Sequence, residues 1–85
     1  MRSIQKLDLS SNNLKTLPGP EVLQEMRSLR FFFVHNNQIS SWQTLTDVAK
    51  VTSCLHLTLY NNQVASIPGY RHYVVNSMKA LLALD

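Results

Sequence analysis

The chain has a single cysteine, Cys54, among its 85 residues. No internal disulfide is possible, so a secreted disulfide scaffold is excluded and a reducing, cytoplasmic compartment is expected. Two glycines and three prolines are too few for a low-complexity linker. No two basic residues are adjacent, although eight Lys and Arg against five Asp and Glu leave a net charge of +3. Nucleic-acid binding needs clustered positive charge, so no direct nucleic-acid contact is expected. No apolar run approaches the ~18 residues of a membrane span, so no membrane partner is expected either. What the chain does have is a 45% apolar composition, enough for one small core and one domain spanning residues 1–85.

The apolar residues recur with a fixed period. Rows beginning at Ile4, Leu29 and Cys54 read IQKLDLSSNNLKTL, LRFFFVHNNQISSW and CLHLTLYNNQVASI. Asn12, Asn37 and Asn62 stand 25 residues apart. Alternate residues of a strand face the same way, so Leu7 and Leu9, Phe32 and Val34, and Leu57 and Leu59 turn inward. The Asn follows where each row leaves its strand. Its amide can satisfy backbone groups of adjacent turns that would otherwise be stranded inside, so Asn12, Asn37 and Asn62 are expected to form a buried structural ladder. A period in this range marks a solenoid, and the LxxLxLxxNxLxxL pattern resembles leucine-rich repeats. The expected fold is an α/β leucine-rich-repeat solenoid of three repeats with a 25-residue period, covering 4–28, 29–53 and 54–69, the last cut short by the cap. A short parallel sheet lines its concave face and helical turns its convex side.

The stretches between rows, LPGPEVLQEMRS and WQTLTDVAKVTS, must carry the chain back across the outer face. Pro20 suits a helix's first position. Leu23 with Met26, and Leu45 with Val48 and then Val51 or Thr52, share inward faces. Glu21 and Glu25 read as solvent-side neighbours with mild like-charge repulsion, not as an acid–base pair.

After Ile67 a longer helical pattern replaces the short return, with Tyr70, Val74 and Met78 at i, i+4 and i+8. An open solenoid edge must be covered, and residues 70–85 are read as a cap. This stretch resembles the C-terminal cap of leucine-rich-repeat proteins at Tyr70, Arg71, Val74, Val75, Met78, Leu81, Leu84 and Asp85. The resemblance implies that Tyr70 seals the last core layer while Arg71 and Asp85 carry the polar closure. The family's usual Pro after the cap helix is replaced by Lys79, so the helix could run past Met78. GYRHYVVNS followed by LLALD is most similar to the cap of the leucine-rich-repeat and IQ-motif proteins. That resemblance implies a cilium- or flagellum-associated setting, and calmodulin as a partner only if IQ motifs lie outside these residues.

The outward strand positions line the concave face that such solenoids use for binding. The FFF run sends Phe32 inward and Phe31 and Phe33 outward, beside His56 and Thr58 of the next strand. With Arg30, His35 and Tyr60, and with Lys6 at the rim, they have the composition of a protein-binding hot spot. The competing reading is that the two rings pair across strands to stabilise the sheet, or are covered by another segment. His35 and His56 are outward but roughly 13 Å apart along the strands, too far to share a metal ion. Cys54 fills an inward slot as a small hydrophobe rather than a catalytic thiol.

These features predict a module that holds a protein partner on its concave face, with no catalysis, cofactor or metal. Resemblance to other capped repeats leaves two alternatives, ribonucleoprotein assembly and an enzyme-regulatory docking subunit. Row one has no capping element before Ile4. An open edge is therefore expected there, with self-association unless further residues of a longer protein cover it.

Overall fold

The structure, a computed structural model, describes residues 3–85. Four short strands, β1 (Lys6–Asp8), β2 (Phe31–Phe33), β3 (His56–Thr58) and β4 (Ala83–Leu84), form one parallel sheet in that order. Lys6 is aligned with Phe31, Phe31 with His56, and His56 with Ala83. The first two steps are 25 residues and the last is 27. Parallel neighbours require a crossover. Helices α1 (Pro20–Gln24) and α2 (Trp42–Val48) lie in the first two crossovers, a 3₁₀ turn (Gln63–Ser66) and helix α3 (Tyr70–Ser77) in the third.

Local chemistry sets these elements. Pro20 opens α1 with its φ already helical and no N–H to strand. Ser41 caps α2 by accepting the Gln43 backbone N–H, which satisfies one of the free donors of a helix start. Gly69 precedes α3 at φ 89°, a left-handed conformation that a side chain would strain.

The core is deepest in the middle. Leu29, Phe32, Val34 and Ile39 of row two are fully enclosed, as are Leu57, Leu59 and Val64 of row three, packed with Leu23, Met26, Leu45, Val48 and Val51 from the returns. Thr52 is exposed, so Val51 is the residue that continues the inward face of α2.

Three expectations need correction. Leu7 and Leu9 are only half-buried, like Ile4, Leu14 and Leu17, because nothing among the described residues packs on their outer side. Asn12 is exposed for the same reason, whereas Asn37 and Asn62 are buried. Helix α3 stops at Ser77 instead of running on. Met78 takes φ −111°, ψ 86° while its N–H still bonds Val74 O, and its side chain is buried. Burying Met78 and then Leu84 requires the chain to turn back at once, and that packing outweighs the missing proline.

Candidate functional site

The outward side chains of β2 and β3 meet on the concave face. Phe31 stacks on His56 at 5.2 Å between centroids and 26° between planes. His35 stacks on Tyr60 at 4.6 Å and 8°. Phe33 lies between the two pairs, 6.5 Å from Phe31 and 6.4 Å from His35. Offset and tilted contacts of this kind are favourable arrangements for rings. All five rings expected at the site therefore form one strip. Phe31 and Tyr60 remain exposed, at 37% and 41%, while Phe33, His35 and His56 are partly covered.

Charged groups flank the strip. Lys6 Nζ lies 5.5 Å from the Phe33 ring centroid, within cation–π range. Arg30 is exposed and donates from Nη1 to Ser53 O at 3.3 Å. Asp8, next to Lys6 on β1, accepts from Ser10 Oγ at 2.6 Å and Ser10 N at 3.0 Å. These bonds favour its charged form and hold its carboxyl below the usual range. Thr58, expected only as an outward neighbour of Phe31 and Phe33, positions a ring of the strip. Its Oγ1 lies 2.7 Å from His35 Nδ1 and accepts the Val34 N–H at 3.2 Å, fixing the ring that stacks on Tyr60. Two-residue alternation puts Thr58 on the outward face, and the lateral register between strands brings it to His35.

The asparagines do different work. Asn37 Nδ2 donates to Leu9 O and Val34 O at 2.9 and 3.0 Å, and its Oδ1 accepts the N–H of Asn12 and Leu14. Asn62 Nδ2 donates to Val34 O and Leu59 O, both at 3.0 Å, and Oδ1 accepts from Ile39 N. Each ties its own row to the one before. Among the described residues Asn12 Nδ2 bonds Leu9 O and Ser10 O, both of its own turn. A second, outer set precedes them, with Ser11, Asn36 and Asn61 at φ 58°, 59° and 58°. Asn61 Nδ2 donates to Asn36 Oδ1 at 2.7 Å. Asn tolerates this left-handed conformation better than most residues, which accounts for the paired Asn of rows two and three.

At the C-terminal end Tyr70 is buried and its hydroxyl donates to Asp85 Oδ2 at 2.8 Å. Burial first, and the Asp85 bond second, push the Tyr70 hydroxyl far up. Asp85 Oδ1 accepts the N–H of Leu59 and Tyr60 at 2.6 and 3.0 Å. Arg71 Nη2 reaches Leu84 O at 3.2 Å, so it braces β4 rather than pairing with Asp85. A cleft of about 510 Å³ opens between Tyr60, Asn61 and the Gly69–Tyr70–Arg71 turn. The Asp85 carboxylate at its wall is already committed to these internal bonds.

Cys54 is enclosed, and its thiol donates to His56 O at 3.2 Å. Burial pushes the thiol up to about 11. The thiolate is the reactive form, so iodoacetamide at pH 8 is expected to label Cys54 slowly in the native chain and at the free-thiol rate in urea. A raised folded value also means that stability present below pH ~9 is lost as pH rises towards ~11. Equal labelling rates in the two states would contradict this burial.

A family model described as "Leucine Rich repeats (2 copies)" matches residues 2–47. The mouse "Leucine-rich repeat and IQ domain-containing protein 3" is 33% identical over 84 residues, 99% of this chain and 13% of the relative. The human protein of that name is 31% identical over 80 residues, 94% of this chain and again 13% of the relative. The chain thus spans only a small part of the curated relatives it matches. Among solved structures, that titled "Structure of Chaetomium Mex67:Mtr2 subunits" superposes with a TM-score of 0.83 at 20% identity, covering 96% of this chain and 57% of that one. "Crystal structure of Drosophila melanogaster SNF/U2A' complex" gives 0.76 at 20% identity, covering 98% and 60%. At such identity these two speak for the fold alone.

Proposed function

Because the chain belongs to the leucine-rich-repeat family, we propose that it is a non-catalytic module that holds a protein partner on its concave face. In this reading two full 25-residue turns, 4–28 and 29–53, and a shorter third, 54–69, are closed by a cap over 70–85, and the contact is centred on Phe31, Phe33 and Tyr60. The observation that carries it is the strip from His56 through Phe31 and Phe33 to His35 and Tyr60. Rings already held by stacking lose little side-chain freedom when a partner covers them. Arg30 and Lys6 at its edge add directional contacts of the kind enriched at hot spots. Both solved neighbours come from structures of protein assemblies by their titles, which agrees with the reading.

The test pairs crosslinking mass spectrometry with thermal melting for the wild-type chain and the Phe31→Ala/Phe33→Ala variant. Truncating two hot-spot rings should weaken partner capture by at least ~30-fold. The melting temperature should fall less than for Phe32→Ala, since neither ring is in the enclosed core. Capture that survives in a variant of clearly lower melting temperature would show the rings to be sheet-stabilising instead.

A further inference from the structure

We infer that the chain forms a two-fold homodimer in which β1 pairs antiparallel with β1 of a second copy, centred on Leu7. In β1 the groups of Gln5, Leu7 and Leu9 are turned towards β2. Gln5 O accepts the Phe31 N–H and the Leu9 N–H donates to Phe33 O. Backbone groups alternate along a strand, so the N–H and C=O of Lys6 and Asp8 point to the open side of the sheet. No partner among the described residues meets them there. Unpaired groups of this kind, beside the half-buried Ile4, Leu7 and Leu9, form a template for strand addition.

The sequence of β1 selects the occupant. Antiparallel pairing about Leu7 places Lys6 of one copy opposite Asp8 of the other, and Asp8 opposite Lys6. Those are the two residues whose backbone groups face outward, so each such pair exchanges two backbone hydrogen bonds. Their side chains project on the same, concave face, and opposite charges directly across an antiparallel ladder attract. Leu7 meets Leu7 on the inner face, where the first core layer lacks a neighbour. A shift of one residue either way would turn the outward groups of one copy towards the inward-bonded residues of the other, and a shift of two would set Lys6 opposite Lys6 or Asp8 opposite Asp8, so hydrogen bonding and charge together favour this register. Hydrogen bonding, charge and apolar contact are thus satisfied by the same two-fold arrangement, and the two aromatic strips would lie on one continuous sheet. This surface shares Lys6 with the edge of the proposed partner site but none of its rings.

Sedimentation velocity over a broad concentration range, with amide hydrogen exchange at Lys6 and Asp8, tests it. The wild-type chain should dimerise reversibly, with the two amides protected only in the dimer. Lys6→Asp or Asp8→Lys places like charges across both symmetric pairs and should weaken the dimer by at least about tenfold. The double reversal K6D/D8K restores opposite charges in the same register and should recover most of that loss. Melting curves verify that each variant is folded, which is expected because both side chains are exposed. The inference is overturned by a wild-type monomer at all concentrations, by a dimer indifferent to the single reversals, or by folded double-reversal protein that stays monomeric. A monomer with protected Lys6 and Asp8 amides would instead mean that other residues of the same chain cover the edge.

Discussion

Asn62→Ala is expected to cost about 3–5 kcal/mol of folding stability, because it strands buried backbone groups at ~1–3 kcal/mol each. Ile39 N–H loses its acceptor and Leu59 O its amide donor, while Val34 O retains Asn37. A chain of this size has on the order of 4–13 kcal/mol to lose, so the variant should be partly unfolded at ambient temperature. Asn37→Ala should cost somewhat less, about 2–4 kcal/mol, since the groups it strands, Asn12 N and Leu14 N, lie nearer solvent and can recruit water, while Leu9 O retains Asn12 and Val34 O retains Asn62. Asn12→Ala should cost below ~1 kcal/mol, because the carbonyls it releases are on an exposed turn. Urea unfolding of the three single variants measures this gradient. Equal losses at all three positions would refute it.

The second large effect separates adjacent residues of one type. Phe32→Ala should destabilise the fold by about 3–5 kcal/mol, through lost burial and an unfilled cavity at the centre of the core. Phe32 is wholly inaccessible and sits between Leu7 and Leu57 in the parallel register. Phe31→Ala loses a partly solvated stack on His56, worth ~0.5–1.5 kcal/mol. For a domain of this length each kcal/mol moves Tm by ~4–8 °C, so calorimetry should resolve the two variants readily. Similar Tm values would mean that the strand register is wrong by one residue, since a one-residue slip exchanges the inner and outer faces.

The two sets of asparagines show how far the sequence could be read. Asn12, Asn37 and Asn62 are conspicuous because an Asn at a fixed place in a hydrophobic period has one obvious physical task. Ser11, Asn36 and Asn61 share a left-handed backbone and an outer hydrogen-bonded line, yet the Ser in row one hides the pattern. The site was legible in composition, since the alternation put Phe31, Phe33, His35, His56 and Tyr60 on one face. It was not legible in contacts. Which ring stacks on which, Lys6 reaching across to Phe33, and Thr58 positioning His35 all depend on the lateral register between strands.

By itself the sequence determined the inward and outward positions and the helical returns, because each follows from local periodicity or from the conformational limits of single residues, while the polar role of Asp85 was implied by resemblance to the caps of leucine-rich-repeat proteins. Tertiary structure decided how deeply equivalent residues are buried. Leu7 and Leu9 occupy the same slots as Leu57 and Leu59 but are half-exposed, and Asn12 occupies the slot of Asn62 without its burial. Burial belongs to a pair of layers and not to a residue. A layer with a neighbour on each side is enclosed, and the first layer has, among the described residues, no neighbour on one face and along one strand edge.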